Sequence, residues 1–484
     1  MHVASAGTLE LTGEERAIAR SLLSVLDDAE RSGVRRSGGG PPRFRYSELR
    51  RRLLKDRVFG DPSRLLGRLK RRGLLEEGLG GPTERVYSVP FSLELRELLL
   101  SELQPPEVAE PGGFHPVPDE RSEIRSMDSD FLSHLQDLLR TRFDETLAFG
   151  RGFSAAKLAT YLRDLFGEAL YLDILISMLQ QYALADVPLL APTGRSTGSS
   201  GFHLAFFGPP GTGKTFAIDD MVRGNSRSAV PAHGLPGRNR YCGGITPAQF
   251  LRVGAYYSGR TFNFIVPEFN DWFKYRGMVE PLKLVMEQRE VKWETTLGTV
   301  GPYTFHSFFS VNYNVRTAGA SDYWTTIADP NFAALEDRML LRFHQMTRDR
   351  FRAVEASAER LELGEIDFSL AGKIRDHLTL IYAAQTGHPL VAGRLKTKPV
   401  RLDPGLYRQL RQVSEAALAG RSFPRFSPRL KSRAVKLAAA AAIVGYFRQE
   451  RDATLPVGSE ETELARSFYE EEIRVREGRR GIAR

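Results

Sequence analysis

The chain has 484 residues, with 68 Lys and Arg against 59 Asp and Glu, a formal net charge of +9 and one cysteine. A single thiol, Cys242, excludes an internal disulfide framework and a Cys-rich zinc site, and the mild positive balance suits an anionic partner without requiring one. No basic-then-apolar leader is visible, and the longest apolar run, Leu437 to Phe447, is too short to cross a bilayer, so the expectation is a cytoplasmic protein of about three domains with no membrane association.

From the N-terminus, Thr12 and Glu15 have capping-box spacing, and Ile18, Leu22, Val25, Leu26 and Ala29 recur on one helical face. Turn-forming residues from Ser37 to Pro42 break this helix, and a second, short helix is expected from about Ser47 to Leu54. A third starts at Asp61-Pro62, where the carboxylate can cap and proline lacks only an N–H that would be unpaired anyway, and it stops at Gly73. Leu65, Leu66 and Leu69 form its narrow apolar face, while Arg64, Arg68 and Arg71 fall on another. Leu74-Leu75 and Arg85 to Val89 flank a Gly/Pro turn and predict a β-hairpin. These elements make residues 1–103 one domain.

The order helix, helix, basic helix, hairpin resembles the winged helix-turn-helix family. The resemblance implies that Arg64, Arg68 and Arg71 face DNA from a major groove while the hairpin touches phosphate. A solvated basic face, or a protein partner, is the alternative.

Residues 104–130 mix prolines with glutamates and are expected to be a linker. Helices follow to about Tyr182, a Gly/Ser/Thr-rich loop runs from Thr193 to Gly201, and an α/β core over 131–350 gives way to helices over 351–484. Within the core, the apolar run Leu204 to Phe207 leads directly into Gly208-Pro209-Pro210-Gly211-Thr212-Gly213-Lys214-Thr215 and then a helix-like Phe216 to Val222. This is the G-x-x-x-x-G-K-[ST] pattern in strand–loop–helix context. Its backbone N–H groups can cradle phosphate, Lys214 can reach the β/γ-phosphates, and the Thr215 hydroxyl can ligate Mg²⁺. ATP and Mg²⁺ are the expected ligands.

The form GPPGTGKT resembles AAA+ ATPases, a three-layer P-loop fold with a C-terminal α-helical lid. The resemblance assigns further residues in order. The apolar run Phe262 to Val266 ends in Pro267-Glu268; Glu268 matches the base that activates water, while Pro267 stands where the family carries the Mg²⁺-associated aspartate. After the run Phe308 to Val311, Asn314 fits the water-positioning polar residue (sensor 1), with Asn312 as runner-up. Arg338 matches the arginine finger offered to a neighbouring subunit, with Arg342 as the fallback. Arg429, in Ser427-Pro428-Arg429, matches a sensor-2 arginine at the start of a lid helix.

Gly243 to Thr246, Glu268-Phe269 and Glu280 to Gln288 are similar to segments of minichromosome-maintenance (MCM) helicases. The Arg338 and Arg429 segments look closer to MoxR ATPases. Val291 to Phe305 would form the family's pore hairpin, with Lys292 and Trp293 as local candidates for touching DNA. The replicative helicases' zinc-bearing N-terminal barrel has no counterpart here. The resemblance therefore implies a ring-forming ATPase, a hexamer, that couples ATP to DNA translocation or remodelling. The alternatives are a MoxR-like remodeller of protein complexes, or a DNA-binding ATP switch with weak hydrolysis.

Overall fold

The leucine spacings of the N-terminal segment do become three helices, α1 (Gly13–Gly33), α2 (Tyr46–Lys55) and α3 (Ser63–Arg71). The computed structural model describes residues 11, 13–33, 41–56, 58, 61–79, 84–90, 95 and 99, and then 120–482 apart from 275–276, 288–289, 296–297, 319–321, 328, 330, 421 and 450–451. The chain divides into two units, Met1–Val117 and Pro118–Arg484. Thr12, the capping partner expected for Glu15, and linker residues 104–119 lie outside the described residues. Residues 120–130, expected as the end of that linker, are instead the first turns of the helix Glu120–Thr141.

In the first unit Ile18, Leu22 and Leu26 of α1 meet Leu49 and Leu53 of α2 and Leu65, Leu66 and Leu69 of α3 in one buried cluster. Each such side chain contributes about 1.5–3 kcal/mol by leaving water. Asp61 Oδ1 accepts the Ser63 N–H at 3.0 Å and starts α3. Gly73, at φ +72°, ends it, and the Leu74 N–H donates to the Leu69 carbonyl at 3.1 Å. Strands β2 (Glu76–Leu79) and β3 (Arg85–Ser88) form the expected antiparallel hairpin. A third strand, β1 (Arg43–Arg45), pairs with the other side of β3, and its Phe44 stacks on Tyr87 with ring centroids 5.4 Å apart. Three residues are too few for alternation to announce a strand, so β1 carries no sequence signal.

The second unit contains β4 (Pro188–Leu190), β5 (Ser196–Ser199), β6 (His203–Phe207), β7 (Asn239–Tyr241), β8 (Asn263–Val266), β9 (Glu290–Thr295), β10 (Gly298–Thr304), β11 (Phe308–Tyr313), β12 (Val315–Ala318), β13 (Asp322–Thr325), β14 (Met339–Phe343), β15 (Val400–Arg401), β16 (Leu455–Pro456) and β17 (Arg479–Ile482). Its central sheet is parallel throughout, in the order β14-β6-β11-β8-β7. Every residue of β6, β8 and β11 is buried, which explains why they read as continuous apolar runs rather than alternating ones. The chain leaves β6 for the far edge at β7 and returns through β8 to β11, beside β6. It later places β14 on β6's other side. The carboxyl end of β6 is thus a topological switch point, where open α/β sheets bind ligands.

Two expectations for this unit change. Part of the Thr193–Gly201 loop is strand β5, paired antiparallel with β4. Residues 351–484 do not form a separate lid. Their helices share one hydrophobic cluster with the helices of 120–183. Their short strands also complete earlier sheets: β15 lies between β16 and β4, and β17 pairs with β13. The alanine run does serve close packing: Ala438 to Ala442 are all buried in the helix Arg429–Val444, which packs on the helix Tyr171–Ala183.

The β9–β10 hairpin forms as expected. Gly301-Pro302 is not its turn but a bulge within β10, between the pairs Val300↔Trp293 and Tyr303↔Val291. Among the described residues no helix is long and apolar enough to cross a membrane.

Candidate functional site: the loop after β6

The loop Gly208–Thr215 leaves the carboxyl end of β6 and enters a helical segment, π-helical over Phe216–Asp220. At its start a Cβ on Gly208 would stand 2.2 Å from the His344 carbonyl oxygen, so only glycine lets the two backbones approach. The Lys214 ammonium folds back onto the loop, donating to the carbonyls of Gly208 at 3.0 Å and Pro209 at 2.7 Å. Burial pushes its pKa down to about 8; the Glu268 carboxylate opposes this and Arg350 adds to it. A half-desolvated ammonium without a carboxylate in hydrogen-bond contact is a poised anion receptor.

Thr215 Oγ1 accepts a hydrogen bond from Asn312 Nδ2 at 3.0 Å. Asn312 is buried in β11, beside β6, opposite Phe206. The structure therefore brings Asn312, rather than Asn314, to the loop. Asn314 lies just beyond β11, where its N–H donates to Asn270 Oδ1 at 2.9 Å and its carbonyl accepts from the Thr326 hydroxyl at 2.7 Å. Glu268 follows β8 at the same end of the sheet. Its exposed carboxylate has no hydrogen bond or ion pair among the described residues, which leaves it available to water. Pro267 before it is buried and brings no carboxylate. Were Mg²⁺ and phosphate bound here, Thr215 would be the loop hydroxyl free to join them, since the Thr212 hydroxyl donates to the Pro209 carbonyl at 3.0 Å.

A buried ionic cluster underneath the loop had no place among the expected residues. Arg350 donates to the Thr212 carbonyl oxygen through Nε at 3.0 Å and Nη2 at 2.9 Å. The same Nη2 reaches Asp173 Oδ2 at 2.7 Å and His344 Nδ1 at 2.9 Å. Arg342 Nε donates to Asp173 Oδ1 at 2.9 Å, and its Nη1 pairs with Glu471. Burial alone would raise the Asp173 carboxyl; the Arg342 and Arg350 guanidiniums outweigh it and hold the group well below its ordinary value. Burial brings His344 down to about 4, so it is neutral and accepts from Arg350. Arg342 is consequently committed inside its own chain and cannot be the fallback finger. The signal in the sequence was Asp173 itself, a lone carboxylate inside the apolar run Tyr171 to Leu179.

Arg338 and Arg429 are brought together, but at the opposite end of the sheet. Met339 of β14 pairs with His203 at the start of β6, a strand's length of about 16 Å from the loop. There Arg338 pairs with Glu287 and donates to the Ala334 carbonyl at 2.6 Å. Arg429 lies 3.3 Å from Asp337 and 3.7 Å from Glu287, its side chain 55% exposed. These residues border a cavity of about 230 Å³ together with Arg433. Arg429 does open the helix Arg429–Val444, as expected, but that helix begins at the end of β6 away from the Gly208–Thr215 loop.

The DNA-contact candidates divide. Arg68 is not free: its Nη1 donates to both carboxylate oxygens of buried Glu15, at 3.1 and 3.0 Å, and so ties α3 to α1. Arg64 Nε is 3.9 Å from the same carboxylate but its side chain is 78% exposed. Arg71 is exposed. Lys292 is exposed on β9 itself, 3.1 Å from Glu294, and Trp293 packs half-buried against the core. Among the described residues no group of His, Cys, Asp and Glu is arranged to hold a metal ion.

In comparisons with known proteins, no family model matches the chain and no curated protein matches it.

Proposed function

We propose that the chain is an ATP-binding P-loop ATPase of the AAA+ type, within the MCM/MoxR-like group, acting as a DNA-associated ring motor or switch. The observation that carries this reading is the convergence, at the carboxyl end of the central parallel strand β6, of Lys214 and Thr215 with Asn312 and Glu268 from two other strands. Lys214 and the loop N–H groups receive the phosphates, Thr215 joins Mg²⁺, Glu268 orients or deprotonates the attacking water, and Asn312 fixes the Thr215 hydroxyl. Arg429, far from its own loop and 55% exposed, is suited to an ATP held by a neighbouring copy, which supports a ring; Arg338 would have to leave Glu287 to join it. Helices α1 to α3 and strands β1 to β3 of the first unit support a winged-helix reading, with Arg64 and Arg71 as the arginines left for phosphate.

Buried Pro267 favours a second reading, an ATP switch that hydrolyses slowly, because the strand end lacks a second carboxylate for Mg²⁺. The deciding measurement is ATP turnover with and without single- and double-stranded DNA. Turnover stimulated by DNA and abolished in Lys214→Ala supports the motor. Tight ATP binding with turnover no faster than Glu268→Gln supports the switch. Failure of Lys214→Ala to weaken ATP binding overturns the site itself.

A further inference from the structure

A second charged cavity, of about 400 Å³, lies away from the Gly208–Thr215 loop, between the helices Glu120–Thr141, Phe143–Arg151 and Ala371–Gln385. Its ionic groups are His134, Arg142, Glu145, Lys373, Arg375 and Asp376. All but one are neutralised locally. Asp376 accepts from His134 Nε2 at 2.8 Å and from Arg142 Nε at 2.7 Å, and Arg142 also meets Asp137 at 2.8 Å. Lys373 lies 3.2 Å from Glu145, but both side chains are at least half exposed, so that pair is weak and easily exchanged.

Arg375 is the exception. Its side chain is half-buried and its Nε is sealed from solvent without a hydrogen-bond partner. Among the described residues its guanidinium makes neither a hydrogen bond nor an ion pair. Two carboxylates, Asp376 and exposed Asp130, act on it without bonding it, and Asp376 is already bonded to His134 and Arg142. Burial accordingly lowers the Arg375 pKa, although a guanidinium remains charged at any physiological pH. A partly buried guanidinium without a hydrogen-bond partner is costly, and a bound anion would satisfy it.

We propose that this cavity is a binding site for the phosphate group of a small molecule, received by Arg375 and Lys373. A guanidinium fork matches two phosphate oxygens, and Lys373, which lines the same cavity, supplies the second charge a dianion needs. The cavity's size lies within the range of ordinary small-molecule sites. The site is independent of the nucleotide reading above, since none of its residues touches the Gly208–Thr215 loop.

The test compares the full-length protein with Arg375→Met in thermal unfolding, in phosphate and in chloride at equal ionic strength. Phosphate should raise the parent's Tm by about 2 °C or more beyond its effect on the variant. Any general salting effect, or phosphate at the Lys214 loop, is common to both proteins and cancels. In chloride alone the variant should melt no lower than the parent, because it loses an unpaired charge. An equal phosphate response in both proteins overturns the proposal, and so does a differential response that acetate reproduces. Should Arg375→Met fail to fold, phenylglyoxal labelling of the parent decides. Phosphate should slow modification at Arg375 several-fold relative to acetate, and equal labelling overturns the site.

Discussion

The Arg350 guanidinium grips the Thr212 carbonyl oxygen with two donors, at 3.0 and 2.9 Å, while its Nη2 also reaches the buried carboxylate of Asp173 at 2.7 Å. The loop that carries Lys214 is therefore moored to the helix Tyr171–Ala183 through one planar side chain. A lysine cannot reproduce that fork. Arg350→Lys should lower ATP affinity about tenfold or more by loosening the loop. Arg350→Met, which strips one cation from buried Asp173, should also cost about 3–5 kcal/mol of stability. Isothermal titration and urea unfolding measure the two effects. Unchanged affinity in a folded Arg350→Lys protein would show that the mooring does not shape the loop.

Lys214 gives the site a pH signature. Its ammonium titrates near 8 in the ligand-free protein. A bound polyphosphate favours the charged form and raises that value, so above pH 8 binding takes up a proton. By linkage, affinity should be flat below about pH 7 and then weaken with rising pH, approaching tenfold per unit above pH 8. Titrations in buffers of different ionisation enthalpy read the proton uptake directly. Lys214→Arg, charged throughout, should bind with no such slope between pH 7 and 10.

Asn312 lies within β11 and Asn314 one residue past its end. Both follow the apolar run Phe308 to Val311, and alternation cannot distinguish them because they are two residues apart. The structure distinguishes them by contact: Asn312 bonds Thr215, whereas Asn314 bonds Asn270 and Thr326 through its backbone. Asn312→Ala should lower kcat for ATP by about tenfold to a thousandfold, and Asn314→Ala should leave it within a few-fold, since its backbone bonds survive. Steady-state turnover in saturating Mg²⁺-ATP checks the pair. The reverse ranking would return the water-positioning role to Asn314.

What was legible in the sequence was what local patterning encodes. Continuous apolar runs marked β6, β8 and β11 because parallel strands are buried on both faces. Asp61 marked the start of α3 through its side-chain carboxylate and Gly73 its end through its backbone conformation. The glycine loop was marked by its residue order, and the close approach of Gly208 to the His344 carbonyl shows why a glycine stands at its start. The illegible part is held by distant pairings. Asp173 meets Arg342 and Arg350 across 169 and 177 residues, and nothing near any of the three indicates the others. Arg342 and Arg68 looked like functional arginines because a sequence shows charge but not the carboxylate that occupies it. The placement of Arg429 depended on which end of β6 its helix would meet, a property of topology alone.

The first unit separates an arginine committed to a buried carboxylate from an exposed one. Arg68 is bonded to both oxygens of Glu15, a carboxylate 4% exposed, whereas Arg71 lies exposed on the same helix. Arg68→Ala should leave Glu15 buried without its main partner and cost about 1–3 kcal/mol in the unfolding of the first unit. Arg64 cannot fully compensate, since its Nε stays 3.9 Å away. Arg71→Ala should leave that stability within about 0.5 kcal/mol, as expected for an exposed side chain. If α3 contacts DNA, Arg71→Ala should instead weaken binding similarly on every sequence and reduce the slope of log affinity against log salt by about one. Salt-dependent anisotropy titrations of the full chain on duplex DNA measure this. An unchanged slope for both Arg64→Ala and Arg71→Ala would remove α3 from the DNA interface and leave protein docking as the role of the first unit.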